Sequence, residues 1–204
     1  MKKVLLLTLA AIFAISSVAM AAPMTNLNKG ESAAGYMYWN PKIDIDGVGD
    51  IGRANANGFY VENAVSDKFI IGVETIQGDR TKHFGGVRVH ADTRFTDFTV
   101  QYKLDKNVRL IAGDRNYDTT LSASGIGSAS GSENKFIYGI GAFTPIGDKT
   151  SAYATYLHDS YTNEWQIGVN QDLSKNVFLN VNYRYHDEDN VTLDGLGASL
   201  IYKF

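Results

Sequence analysis

Cysteine is absent from the 204 residues, and proline occurs only three times. Without cysteine the chain has no disulfide framework, no thiolate metal site and no thiol nucleophile. The formal net charge of −3 at pH 7 leaves no basic surface of the kind that binds nucleic acid. Beyond residue 21, no apolar run is long enough to form a membrane-spanning helix. Glycine (20), Tyr (12) and Phe (10) are abundant, and this composition favours an all-β chain.

The first 21 residues have the three parts of a secretory signal peptide. The segment starts with two lysines, continues as an almost wholly apolar run over residues 4–15 and ends in Ala19-Met20-Ala21. We therefore expect cleavage after Ala21, export, and a mature domain over residues 22–204. The apolar run is too short for the alternative, a membrane anchor. Loss of the two lysines changes the formal charge from −3 to −5.

Four short turn sequences divide the mature domain into segments of similar length. Leu104–Leu110 recurs as Leu173–Leu179, and relatives of this pattern start at Val65 and Ile146. Each places Asp, Ser, Asn or Gly beside a Lys between alternating apolar runs, which is typical of tight hairpins. The segments between the turns have polar, Gly-rich tips. One tip, Thr119–Asn134, is rich in Ser, Gly and Ala, and we expect it to be mobile.

This rhythm predicts an antiparallel up-and-down β-barrel of ten strands, with eight or twelve strands as the alternatives. Short turns on one side, long loops on the other and an even strand number are what a bacterial outer-membrane barrel requires. The stretch Phe84–Asp92 alternates like one more strand. We interpret it as a projection of the fourth strand, with a bulge between Phe95 and Phe98. The predicted strands are 32–40, 57–65, 68–77, 94–104, 107–118, 134–144, 150–159, 163–173, 176–187 and 194–204.

The last three strands alternate most clearly between apolar and polar residues. Val181 and Tyr183, for example, alternate with Asn182 and Arg184. A period of two gives each strand one polar and one apolar face. The polar face is crowded enough to line a lumen, so we expect the apolar face to contact lipid; a soluble barrel has the reverse arrangement. Aromatic residues near the strand ends predict two interfacial girdles; they are Tyr36, Tyr38, Trp39, Phe59, Phe69, Tyr102, Trp165, Tyr183, Tyr185, Tyr202 and Phe204.

The C-terminal strand carries a specific resemblance. The chain ends in Phe204, preceded at every second position by Tyr202, Leu200, Ala198 and Leu196. This resembles the terminal strand by which the barrel-assembly machinery recognises outer-membrane barrels. Together with the signal peptide and the hairpins, it makes the mature chain resemble a small, porin-like outer-membrane β-barrel of bacteria. The resemblance implies outer-membrane localisation, passage by periplasmic chaperones and the barrel-assembly machinery, and contact with outer-membrane lipids, including lipopolysaccharide.

Side chains predicted to point into the lumen carry charges of both signs. A ten-stranded barrel is narrow, so opposite charges inside it tend to pair. They form either a hydrogen-bonded plug or a narrow channel for small solutes or ions. In the channel hypothesis, Arg109 and Arg184 oppose two glutamates at a constriction, and the segment 119–134 folds inward as a gate. The predicted charged set is Glu62, Glu74, Lys103, Arg109, Asp172, Arg184 and Lys203.

The outer loops offer the leading alternative function, a surface adhesin or lipid-contacting barrel. Arg80, Lys82 and Arg88 are placed to meet lipopolysaccharide phosphates at the rim. Acidic runs over residues 44–50 and 186–194 suggest divalent-cation binding as a minor alternative to solvated loop tips. We predict no metal site and no cofactor. The oligomeric state is left open.

We predict no enzymatic activity, with two catalytic alternatives of low weight. His158-Asp159-Ser160 is similar to the His-x-Ser spacing of outer-membrane lipid A deacylases, but here two further strands follow it. Asp44 and Asp46, with His90 and Asp92, are the candidates for an omptin-like protease site. The chain is much shorter than omptins.

Overall fold

The computed structural model describes residues 22–204 except residues 48, 85 and 189, so the predicted signal peptide lies outside the described residues. This part of the chain contains no helix long and apolar enough to cross a membrane. Its regular structure consists of β-strands. They are β1 Ser32–Trp39, β2 Lys42–Ile45, β3 Gly49–Arg53, β4 Asn55–Asn63, β5 Phe69–Phe84, β6 Val87–Lys103, β7 Val108–Ala123, β8 Gly127–Gly147, β9 Thr150–His158, β10 Thr162–Asp172, β11 Val177–Glu188 and β12 Val191–Lys203.

Ten of these strands form a closed antiparallel barrel. β1, then β4 to β12, pair in order, and β12 pairs back with β1 from Ala33↔Lys203 to Trp39↔Gly197. The prediction of a ten-stranded up-and-down barrel is therefore confirmed. Both ends of the barrel domain lie at the short-turn side, where Ser32 and Phe204 exchange backbone hydrogen bonds.

The strands β2 and β3 form a hairpin that fills a gap in the outer rim. β1 and β4 are short, so the outer end of β12 pairs with β2 instead, as in Leu193↔Ile43. On the other side, the side chains of Arg80 and Lys82 on β5 donate hydrogen bonds to the carbonyl of Ile51 on β3. The sequence predicted only a loop here, because the hairpin is rich in Gly and polar residues.

β6 is one continuous strand, and its projecting part includes most of the stretch Phe84–Asp92, as predicted. The predicted bulge is wrong. Phe95 points inward and is 3% exposed, whereas Phe98 points outward and is 56% exposed. The two rings lie on opposite faces of a regular strand, so the parity does not change and no bulge is needed.

The Ser- and Gly-rich tip over residues 119–134 is a regular hairpin, and its mobility stays a prediction. β7 and β8 stay paired from Thr119↔Gly131 to Ala123↔Gly127. The β8 residues of this tip are exposed to solvent, so the segment projects outward. The prediction that it folds into the lumen as a gate is wrong, because backbone pairing with β7 holds it in the sheet.

The outward face of the barrel is apolar and carries aromatic pairs near both edges of its apolar band. Tyr36 contacts Phe59 with ring centroids 5.1 Å apart, and Phe69 contacts Tyr102 at 5.2 Å. Such a surface is suited to lipid, with girdles at the interfaces. Trp39 is the exception to the predicted girdle, because it points into the lumen and is fully buried.

The lumen has two differently built sides. Inward residues of β1, β4, β12 and the β2–β3 hairpin are mostly apolar and continue onto β5, β6 and β7 near the outer rim. Inward residues of β10 and β11 are mostly polar or charged. The same holds for the inward residues of β6 and β7 in the parts nearer the short-turn end. Large rings fit because glycines face them: a Cβ on Gly168 would lie 2.7 Å from the ring of Tyr153.

Candidate functional site

The charged residues predicted for the lumen occupy two levels. Four of them are buried inside the barrel; they are Glu62, Glu74, Arg109 and Arg184. The other three are half-buried near the short-turn end; they are Lys103, Asp172 and Lys203. Their role as a constriction stays a prediction, and their contacts show how they are paired.

Glu62 and Arg109 are joined through a glutamine rather than directly. Gln101 donates from Nε2 to Glu62 Oε1 at 2.6 Å, and Arg109 Nη1 donates to Gln101 Oε1 at 3.0 Å. These residues lie on β4, β6 and β7. These contacts connect β4 to β6, which are not adjacent strands, and therefore cross part of the lumen.

Arg184 stands at the end of a ladder of amides on β11. Its Nε donates to Asn182 Oδ1 at 3.0 Å, and Asn182 donates to Asn180 Oδ1 at 2.6 Å. Its Nη1 lies 4.0 Å from Glu74 Oε1 on β5, across the barrel. Tyr153 completes the ladder, because its hydroxyl accepts a hydrogen bond from Asn180 Nδ2 at 3.1 Å.

The strongest cross-brace is one that the sequence analysis missed. Arg115 on β7 binds both carboxylate oxygens of Asp97 on β6, at 2.7 and 2.6 Å, and its Nη1 donates to Glu164 on β10 at 3.3 Å. All three side chains are at most 4% exposed. Strict alternation from Arg109, a predicted lumen residue, places Arg115 inward as well, and its partner Asp97 lies in the part of β6 for which the sequence predicts a bulge.

A second cluster closes the outer part of the polar side. Lys135 Nζ on β8 donates to Glu188 Oε1 on β11 at 2.6 Å. His186 lies between two carboxylates, with Nε2 3.7 Å from Glu188 and Nδ1 4.0 Å from Glu164. Lys135 also stands over the ring of Tyr117, 4.9 Å from its centroid. Paired charges therefore continue to the outer rim.

The N-terminal segment of the described chain enters the lumen from the short-turn end. Its backbone carbonyls accept hydrogen bonds from lumen side chains. Asn170 donates to the carbonyl of Met24 at 2.8 Å, and Arg109 donates to that of Thr25. Lys103 donates to the carbonyl of Leu27, whose side chain is fully buried. Two charged residues predicted for the lumen thus hold this segment.

Among the described residues, two small cavities lie inside the barrel and a larger one lies at the short-turn end. One of about 20 Å³ lies among Glu62, Glu74 and Asp97, and another of about 20 Å³ lies beneath the β2–β3 hairpin. Each has room for roughly one water molecule. A third, of about 340 Å³, opens at the short-turn end and is floored in part by Thr25 and Asn26.

The residues of the lipid A deacylase alternative lie on different faces of the barrel wall. His158 faces outward beside Tyr156 and bonds Asn163, whereas Glu164 points into the lumen. The His and the nearest Glu of this alternative therefore lie on opposite faces of the barrel wall.

The proposed protease residues are likewise engaged elsewhere. Asp44 accepts from Lys42 at 3.1 Å on the rim hairpin. His90 bonds Thr81, and Asp92 accepts from Gln77. Each of these residues has a partner within its own hairpin.

The charged residues at the outer rim mainly form contacts within or to the β2–β3 hairpin. Lys42 lies 3.1 Å from Asp44 and 3.8 Å from Asp50, and the hydrogen bond to Asp44 raises the pKa of the Lys42 ammonium. Arg80 and Lys82 donate to backbone carbonyls of β3, so they are less available to lipid phosphates than the sequence predicted. Of the residues that the structure describes, no group of three or more His, Asp or Glu could hold a metal ion.

Comparison with known proteins shows the fold. No family model and no curated protein matches the chain. The translocator domain of the autotransporter NalP from Neisseria meningitidis matches with a TM-score of 0.55 at 9% identity, covering 100% of this chain and 96% of that one. The attachment invasion locus protein Ail of Yersinia pestis gives 0.46 at 16% identity, with 86% and 99% covered. The outer membrane protease OmpT of Escherichia coli gives 0.48 at 10%, with 89% and 99% covered.

The match to the NalP translocator domain agrees with the closed barrel. The chain has the fold of an outer-membrane β-barrel, as the sequence predicts, and no subfamily is identified. An apolar outer band with aromatic girdles requires lipid, and this places the barrel in the outer membrane.

Proposed function

We propose that this outer-membrane barrel is sealed across the membrane and acts at its outer face, as a structural barrel that displays a binding surface. The observation that carries the proposal is the set of charged groups that meet across the lumen. Arg115 joins β6, β7 and β10, and Arg184 faces Glu74 across the barrel. Buried ions are costly unless they are paired, so the network favours a filled lumen over a permeable one.

The projecting strands support an outward role. β5, β6, β7 and β8 are the longest strands and extend beyond the rest of the rim as two joined hairpins. Their outward rows change from apolar to polar along the strands: Phe98 is followed on β6 by Thr96 and Arg94. Surfaces of this kind are where binding residues concentrate on a rigid scaffold. We propose no catalytic function.

Liposome swelling with a small neutral sugar tests the seal. We expect the refolded barrel to give no swelling above empty liposomes. Arg115→Ala should admit the sugar if the barrel still inserts, because it removes the brace between three strands. Arg94→Ala, on the outer face, is the matched control and should behave like the wild type. Swelling by the wild-type barrel would refute the proposal.

A narrow porin-like channel is the second candidate, and the opening at the short-turn end favours it. This cavity of about 340 Å³ ends at Thr25 and Asn26 of the inserted segment. If the segment withdraws, the opening would deepen into the lumen. Removal of residues 22–28 from the mature chain separates the two candidates. Swelling that appears only in this variant would indicate a channel closed by its own N-terminal segment.

A further inference from the structure

The two edge strands of the projecting sheet, β5 and β8, differ in what lies beside them. On the β5 edge, the side chains of Arg80 and Lys82 donate to a carbonyl of β3 and so tie the strand to the β2–β3 hairpin. On the β8 edge, pairing with β9 starts only at Tyr138↔His158. Residues 127–137 of β8 are paired with β7 alone among the residues that the structure describes. The β5 edge is thus tied to a neighbouring hairpin through its side chains, whereas the β8 edge is open.

The open edge is long and has few of the usual protections. Residues 127–137 span about 36 Å if each advances about 3.3 Å. Open edges are normally blunted by Lys, Pro, bulges or short strands. Here the pairing with β7 runs without a register shift, and positions 127–132 are all Gly, Ser or Ala. These small side chains leave the backbone groups accessible.

The chemistry of the edge selects its partner. A row of alternating N–H and C=O groups matches the backbone of another extended chain, and such strand addition gives affinity through main-chain hydrogen bonds. Side chains on the strand then set specificity. Glu133 is the exposed charge on this stretch, with 63% of its side chain accessible; its Oε2 lies 3.9 Å from Nζ of Lys135, which is itself buried against Glu188. A cation on the partner would complement Glu133.

We infer that the outer part of β8 binds an extended peptide segment of another protein, which adds a strand to the projecting sheet and places a basic residue near Glu133. This inference deepens the proposed function, since it assumes that the hairpins face outward. It does not require a sealed lumen. A conducting barrel would refute the seal and leave the open edge unaffected, so the two failures are distinguishable.

A phage library of random decapeptides, panned on the folded barrel in lipid nanodiscs, provides the probe. Ser130→Lys places a charged chain on the open edge. Its cross-strand partner Thr120 lies directly opposite on β7, away from the open edge. Thr120→Lys is therefore the matched control. We expect selected peptides to contain Lys or Arg, and their affinity to fall at least tenfold on Ser130→Lys and less than twofold on Thr120→Lys.

Two further readouts separate strand addition from surface adsorption. On peptide binding, amide hydrogen exchange should slow within residues 127–137 and stay unchanged on β5. Glu133→Gln should weaken the peptides without altering that protection at saturation. The inference is overturned if no peptide is enriched, if both lysine variants lose binding equally, or if the protection falls outside β8.

Discussion

The apolar and the polar sides of the lumen fill the same barrel by different means. Next to β1, β4 and β12, side chains such as Trp39, Met37 and Leu193 fill space by shape. On the side of β10 and β11, groups such as Arg115 and Glu164 fill it through directed contacts. An apolar contact that is lost leaves a cavity, whereas a lost ionic partner leaves a buried charge. The two sides should therefore differ in how they tolerate substitution.

The largest expected effect is from Arg115→Ala, which leaves Asp97 and Glu164 buried without their shared cation. Loss of one partner of a buried ion pair costs about 3–5 kcal/mol in the free energy of unfolding. Urea unfolding in lipid vesicles, followed by tryptophan fluorescence, would measure it. A triple replacement of these residues by Met, Leu and Met should recover most of the loss, because well-packed apolar groups can replace a buried ion network. If Arg115→Ala costs under about 1 kcal/mol, the polar side is not a paired network.

The next effect is steric and tests the packing of the polar side. Gly168→Ala would place a Cβ 2.7 Å from the ring of Tyr153, which Gln166 and Asn180 hold by hydrogen bonds. Overpacking of this kind costs about 1–3 kcal/mol. Gly131→Ala is the control, since nothing lies within 4 Å of its added Cβ. Equal stability of the two variants in the same unfolding assay would contradict the packing described here.

A smaller loss is expected on the apolar side. Ile76 is 1% exposed inside the barrel, and Ile76→Val should cost about 0.5–1.5 kcal/mol through the lost methylene. Ile71→Val on the same strand faces lipid and is 47% exposed, so its cost should be smaller. A larger cost for Ile71→Val would mean that the faces of β5 are assigned in reverse.

The smallest effect is a pH dependence at the short-turn end. The backbone N–H of Asn28 donates to Glu31 at 2.7 Å and lowers the pKa of that carboxyl below its usual range, with support from Lys203. A lowered folded-state pKa gives stability that is present above the unfolded-state pKa and is lost as the pH falls through the folded-state pKa. Glu31→Gln should therefore be less stable than the wild type at neutral pH and equal to it at low pH. A difference that persists in acid would assign the effect to packing.

The sequence predicts the barrel well because its turns and alternation are local signals. The repeat at Leu104 and Leu173 marks two short turns that the structure contains. The alternation of β11 puts Asn182 and Arg184 on one polar face, and both are buried in the structure. Such patterns depend only on neighbours along the chain, so no tertiary information is needed to interpret them.

The site was less predictable because its contacts join distant strands. Phe95 and Phe98 are both aromatic, and only the barrel interior explains why one of them is buried. Asp97, the partner of Arg115, lies between them on β6. The inserted N-terminal segment was also missed, because it is held through backbone carbonyls such as that of Met24, which carry no side-chain signal.

Single-channel recording tests the central claim, the sealed lumen, most directly. The mature barrel would be refolded and inserted in a planar bilayer, with insertion verified independently. The account predicts no steady conductance from the wild-type barrel and discrete steps after Arg115→Ala in barrels that still insert. Reproducible steps from the wild-type barrel would contradict it, since the charges would then line an open channel.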